Sequence, residues 1–427
     1  MGSRIILIFF LLTLLSLLSL YPSPFSSVFA QDQSQVIRVI GTGKAVGMPI
    51  LTAWFTTEPS TDPTIIPTRE TSDVIAGDIM RFMRIYYPRT YEDLLEYEFF
   101  FLAQVDMTYF SARQQKWLYD ALTNFRKGGV NTRSAMSINA NFYQPWIQSM
   151  LSDTFPNDAD AVLSDSQNFN APSGPLIVKD GADLPGIMKP YKAIIEKIFP
   201  YYTSYKPNFP LTIPKQGSTI LSYTKNNQGI GSPVPGQIPQ VFYWSWNQST
   251  TFTFRGIVYD DFWSSLVTRS HISNPYSLDI ITNMVWFSTG RRLPEDPYKV
   301  HEFRRDLFNF GIQQNLLTSL LDFAEIFGAN PVNEHARLND IQGTRIQASN
   351  QYLDRDFDTA YDTMKTALQG LTSLEEDAAK LKDRAMLWVY IVEWLVTTAV
   401  FLVTGSVLWT LMVKQKLYRD VTTTTIR

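Results

Sequence analysis

Any reacting group in this chain has to be a carboxylate, an imidazole, a hydroxyl, an amine or an amide, because its 427 residues include no cysteine. That removes thiol nucleophiles and a disulfide framework together. The three histidines, His271, His301 and His335, sit in unrelated contexts, and neither an HExxH pattern nor any clustered ligand spacing occurs. No metal site is therefore expected, and no cofactor is implied. Three polar residues stand where chemistry or binding could be placed. Asp106 ends the apolar run Phe99–Val105, and Asn139 and Asn141 lie at the end of Ser134–Asn139. If both runs are parallel strands, the three residues share the carboxyl edge of a sheet, where open α/β folds bind ligands. The same residue types also serve by satisfying loop backbone groups. Asn247-Gln248-Ser249 is the one N-x-S/T triplet, and on an exported segment Asn247 is a glycan acceptor candidate.

The elements that would position these residues alternate. Val36–Ile40 is a short β-branched run fit for a buried first strand. A polar loop carrying Pro59, Pro63 and Pro67 follows, then a helix capped by Thr71 or Ser72 and running through Tyr86. Phe99–Val105 has no polar alternation, which suits a strand covered on both faces. Ser111 is placed to cap a helix over Ala112–Lys127, with Gln115 one position too far for the capping box and Gly128-Gly129 as its stop. Strands are expected at Ser134–Asn139, Pro175–Val178 and Thr219–Tyr223, with a helix at Pro190–Phe199. Strand and helix in turn argue an α/β fold with an open, mostly parallel sheet and flanking helices. Gln240–Tyr259 reads as an aromatic hairpin around a polar turn. Its band of Phe242, Tyr243, Trp244, Trp246, Phe252 and Phe254 offers either core packing or a stacking platform for sugars.

Past Asn274-Pro275 the chain turns helical, at Ser277–Thr289 and His301–Phe327. From Leu353 to Ala385 apolar residues step by four and three without interruption, a heptad seam weakened by Gly370 and several alanines. Such a seam can pair with a second copy, with another envelope protein, or fold back on His301–Phe327. Arg291, Arg292, Arg304 and Arg305 among Glu295, Asp296, Glu302 and Asp306 read as a solvated mixed-charge face. The period then runs without a breaker into Trp394–Val413, twenty uncharged residues followed by Lys414, Lys416 and Arg419. At about 1.5 Å per residue that run matches the roughly 30 Å hydrocarbon core of a bilayer. Glu393 stands at its edge, where a carboxylate reaches the headgroups.

Residues 1–30 read as a signal peptide: Arg4, the apolar Ile5–Leu20, breakers Pro22 and Pro24, and Val28-Phe29-Ala30 before Gln31. An uncleaved N-terminal helix is the other reading of the same run. The expected organisation is then signal peptide 1–30, α/β domain 31–300, helical stalk 301–385, transmembrane helix 386–413 and tail 414–427. With a cleaved signal peptide, the domain lies outside the cytoplasm, the lipid bilayer holds Trp394–Val413, and the tail is cytoplasmic. Net charge is −3, so nothing points to nucleic acid.

Several stretches taken together resemble the class I glutamine amidotransferase-like α/β domain in a membrane-associated form. They are Tyr97–Gly129 (YEFFFLAQVDMTYFSARQQKWLYDALTNFRKGG), Asn274–Asp296 (NPYSLDIITNMVWFSTGRRLPED) and Glu58-Pro59-Ser60. The resemblance covers roughly Val36–Val300 and implies a flavodoxin-like, amidotransferase-like sheet. Family members that act on glutamine use a cysteine on a tight turn after a strand, activated by histidine. Here that turn falls near Asn139–Asn141, without a cysteine and without a G-x-S-x-G elbow that would put serine in its place. The resemblance thus carries the fold and not the activity. Two functions remain: a non-catalytic binding or structural module displayed at the membrane, and a hydrolase or transferase with a non-cysteine site. A histidine within hydrogen-bond reach of Asp106 would separate them.

Overall fold

The computed structural model describes residues 36–71, 73–132, 146, 148–157, 174–201, 213–225, 236–256, 262–263 and 274–423. The 1–30 segment and the strand expected at Ser134–Asn139 lie outside them, as do Asn139 and Asn141. Eight strands form one sheet: β1 (Ile37–Lys44), β2 (Thr61–Arg69), β3 (Phe99–Ala103), β4 (Gly128–Thr132), β5 (Leu176–Val178), β6 (Thr219–Lys225), β7 (Gln237–Trp246) and β8 (Ser249–Phe254). Their order is β2-β1-β3-β4-β8-β7-β6-β5. The first five in that order pair in parallel, and the last three extend the sheet by antiparallel pairing. All five residues of β3 are buried, as a strand covered on both faces requires.

Several elements depart from the sequence reading, among them the helix expected to be capped by Thr71 or Ser72, which starts at Ala76 behind Ile75 without a side-chain cap. The expected loop with Pro63 and Pro67 is strand β2. Proline is tolerated there because β2 is the sheet's edge, so one side of the strand owes no hydrogen bonds. Gly128 and Gly129 do not stop a helix. They open β4, where a Cβ on Gly128 would collide with Ser288 and Phe99. The preceding helix ends earlier, at Asn124. A close approach of a different kind holds β1 to β3: Gly43 has φ +152, and any Cβ there would strike the Ala103 backbone.

The helices are α1 (Met48–Thr57), α2 (Ala76–Tyr86), α3 (Tyr91–Leu95), α4 (Ala112–Asn124), α5 (Lys192–Ile198), α6 (Ser277–Ser288), α7 (Pro297–Ile326), α8 (Val332–Leu353) and α9 (Phe357–Thr423). Helix α4 opens on a true capping box, with Gln114 rather than Gln115 as the partner. The Gln114 N–H donates to Ser111 Oγ at 3.3 Å, and the Ser111 N–H donates to Gln114 Oε1 at 2.9 Å. On one side of the sheet Ile40, Phe100 and Leu102 pack with Ile79, Leu94 and Leu118 of α2, α3 and α4. On the other side a single apolar cluster begins at Ile37, Val39 and Phe101, passes through Ile280 and Met284 of α6, and continues into Phe310, Leu371 and Ala378.

That cluster settles where the heptad seam goes. Ala360, Met364, Ala367, Leu371, Leu374 and Ala378 are buried within the chain, against α7 and α8. Leu353 ends α8 instead of opening the seam, because the chain turns at Asp354–Asp356 with Arg355 at φ 69. From Phe357 one unbroken helix runs to Thr423. It is long and apolar enough to cross a membrane, and its most apolar window is wholly uncovered.

Candidate functional site

Asp106 sits where the sequence places it, past the carboxyl end of β3. Gln104, at φ 55, breaks the strand and turns the chain. The Asp106 carboxylate then accepts from the Thr108 N–H at 3.0 Å and from Thr108 Oγ1 at 2.7 Å. Gln115 Nε2 secures the same turn by donating to the carbonyls of Met107 and Phe110 at 3.2 and 3.0 Å. Tyr109 hydrogen-bonds Glu70 just past the end of β2. Asp106 thus closes a local turn, and among the described residues no histidine bonds to it. Three buried polar atoms near the same sheet edge, Thr42 Oγ1, Thr68 Oγ1 and Gln104 Oε1, have no hydrogen-bond partner among the described residues.

Among the described residues the densest group of ionisable side chains lies elsewhere, between the sheet domain and the helices after it. Glu58 follows α1 in the turn leading to β2 and is 1 % exposed. Its Oε1 accepts from the Ser60 N–H at 3.0 Å and from Ser60 Oγ at 2.6 Å. Trp286 Nε1 of α6 in turn donates to Ser60 Oγ at 3.0 Å. From the other side, Arg304 Nε of α7 donates to Glu58 Oε2 at 2.5 Å, and Tyr352 Oη of α8 reaches both carboxylate oxygens at 3.0 and 3.1 Å. Arg304 also donates through Nη1 to Asp279 Oδ1 of α6 at 2.5 Å, and Asp279 Oδ2 lies 2.8 Å from His301 Nδ1. The guanidinium stands over the Trp286 and Tyr352 rings, 5.3 and 5.9 Å from their centroids.

The Arg304 guanidinium shares its buried site with two carboxylates. Burial would push Arg304 down, but Glu58, Tyr352 and Asp279 together hold it well above its ordinary range. Burial also raises the Tyr352 phenol well above its usual value; Arg304 works against the rise and Glu58 adds to it. Tyr191 is raised by burial and by Asp279. Nearby Arg355 goes the other way, pushed down to about 10 by burial despite its stacking 4.3 Å over Trp286. The mixed-charge face read from the sequence is corrected here. Arg304 and Asp306 are buried, the latter 2.8 Å from Lys365 of α9, and Arg291 grips Glu98 with both terminal guanidinium nitrogens at 2.6 and 3.2 Å. Arg292 and Glu295 do form an exposed pair.

Chemically the cluster is closed on most sides. Among the described residues its most exposed member is His301, with a side chain 25 % exposed, oriented by Asp279 and resting against the Tyr276 ring at 4.7 Å. Sequence reasoning missed the cluster because Glu58 and Arg304 are 246 positions apart. The hairpin residues divide. Phe242, Phe252 and Phe254 are buried, while Trp244 and Trp246 stack on each other at 5.7 Å and are only partly covered. Asn247 is exposed in the turn between β7 and β8, at φ 52.

No family model matches this chain, and no curated protein does. Among solved structures, a cytoplasmic protein from Salmonella typhimurium LT2 is similar at 11% sequence identity and a TM-score of 0.37, over 59% of this chain and 96% of that one. A likeness of that degree leaves the functional reading to the residues themselves.

Proposed function

We propose that the chain is a membrane-anchored binding or structural module: a non-catalytic α/β domain carried on a three-helix stalk and displayed outside the cytoplasm. The observation that carries this reading is the Glu58–Arg304–Asp279 cluster. The chain's best-organised acids and bases are spent on locking the domain's α1–β2 turn and α6 to α7 and α8 of the stalk. A protein that needs its domain rigidly presented gains from such a joint, whereas a buried ion pair contributes little net stability. The resemblance to amidotransferase-like domains fits the parallel strand order β2-β1-β3-β4-β8, the order of flavodoxin-like sheets. Without a cysteine, glutamine hydrolysis is not part of the proposal.

Anchoring and direction follow from the two apolar segments. A signal peptide over 1–30 would export the domain, and α9 would stop transfer and return Lys414–Arg427 to the cytoplasm. Protease added to intact cells should digest the domain and spare a tag fused after Arg427; the opposite pattern overturns the topology. Self-association through Leu353–Ala385 would need α7 and α8 displaced from a seam they already fill, so partners are sought on the domain and on the outer faces of the stalk.

A second reading has one foothold, the His301–Asp279 pair, whose geometry is that of a carboxylate-oriented general base. The two readings part in one experiment. Exchanging His301 for Gln should leave the capture of cross-linked partners from membranes unchanged, and a chain ending at Asp383 should lose it. Loss of a hydrolase or transferase activity in His301→Gln, with folding intact, would favour the enzyme.

A further inference from the structure

The turn between α7 and α8 is unusual for a solvent-facing loop. From Ile326 to Asn333 it reads IFGANPVN, with no charge, and Ile326 and Val332 are 78 % and 65 % exposed; Phe323, one turn earlier on α7, is 40 % exposed. Its height along the stalk follows from ion pairs. Helices α7 and α9 run in parallel with Lys299 paired to Asp358 and Asp306 paired to Lys365, both offset by 59 positions. The same offset sets Ile326 beside Ala385, the last buried residue of α9. The α8 pairings agree: Arg337 meets Asp377 at 2.7 Å, below the level where Gly370 meets Ile341.

Directly past that level α9 becomes apolar and bare. Leu387, Trp388 and Tyr390 are 60 %, 65 % and 53 % exposed, and the apolar surface continues to Val413. From Leu387 to Val413 the helix spans about 40 Å, the thickness of a bilayer with its headgroup layers, and Trp388, Tyr390 and Trp394 fall where interfacial aromatics belong. The turn therefore ends at the depth where the headgroups begin.

We propose that the α7–α8 turn is a second membrane contact. Phe323, Ile326 and Val332, with Leu387 and Trp388 of α9, form an apolar collar seated in the headgroup layer of the leaflet that faces the domain. The inference rests on α9 being a membrane span. The occupant is the lipid surface because the span fixes the collar's depth. Asp322, Glu325 and Glu334 flank the turn, so the contact is apolar insertion and does not depend on anionic lipid. It would hold the stalk upright, which a single α9 crossing would not.

The absence of native cysteine makes the test direct. Single variants Ile326→Cys, Val332→Cys, Phe401→Cys and Gln347→Cys, each in the full chain, are labelled with an environment-sensitive fluorophore and placed in phosphatidylcholine nanodiscs. All four positions are exposed, so the fold is not at stake. Labels at 326 and 332 should be quenched by headgroup-level spin-labelled lipid and be several-fold less sensitive to aqueous iodide than the label at 347. The label at 401 should respond only to deep lipid quenchers. Iodide quenching at 326 and 332 equal to that at 347, with 401 lipid-quenched, overturns the collar and leaves the span intact. Iodide quenching at 401 removes the span and the collar with it.

Discussion

Glu58 has no direct contact with bulk water and five donors around it, from Ser60, Arg304, Tyr352 and, at 3.5 Å, Thr282. Removing its charge leaves Arg304 with Asp279 alone, so Glu58→Gln should destabilise the folded chain by roughly 3–5 kcal/mol in denaturant unfolding. Arg304→Met added to it should cost much less than Arg304→Met alone, since both changes break the same pair. Additive costs would show that the two residues act separately. The phenols make a second test. Tyr87, Tyr191 and Tyr352 are all raised by burial. A raised folded-state pKa adds stability that is complete below the unfolded value near 10 and is lost as pH climbs past it, because only the unfolded chain then releases the proton. Stability should thus fall above pH 10 by about 1.4 kcal/mol per pH unit for each such tyrosine. Tyr352→Phe should make that fall shallower, and an equal slope in both proteins would refute the assignment. None of this was legible at the sequence level. Arg304 stands in a run of mixed charges, and only its burial on α7 separates it from its exposed neighbour Arg305.

At the scale of elements, legibility followed how local the determining physics is. The strand Phe99–Ala103, the helix capped by Ser111 and the 3–4 seam of α9 were readable because each is specified by neighbours within a turn or two. Strand β2 was not, because its prolines are permitted by an edge position that no local pattern reveals. Gly128 was misread for a similar reason: its small size answers to Ser288, far along the chain. The seam itself left open whether it pairs within or between chains, and the structure fills it with α7 and α8. Leu371→Ala and Leu374→Ala, both at fully buried positions, should each cost about 2–5 kcal/mol. Faster amide exchange across α7 and α8 should accompany that loss. Changes confined to α9 would mean that the three helices do not support one another.

At the scale of the molecule, domain and stalk cannot be treated as beads on a string. One apolar cluster runs from β1 to Ala378, and the Glu58–Arg304–Asp279 joint sits inside it. Bending the domain against the stalk would open that cluster and strand a buried guanidinium, a far larger cost than flexing a linker. If α9 spans a bilayer as proposed, it also sets the height of the domain above that bilayer. Thr359, exposed at the domain end of the stalk, stands 28 positions before Leu387, or about 42 Å at the rise of an α-helix. A label on Thr359→Cys should therefore show a narrow distance distribution centred near 40 Å from fluorophores in the headgroup layer. If α9 were a lone flexible tether, the distribution would broaden and reach down to bilayer contact. Glu58→Gln supplies the internal control. If the charged joint is what holds the angle, the variant should widen the distribution at temperatures where helix content is unchanged, while a width identical to the wild type would assign the rigidity to the apolar cluster alone.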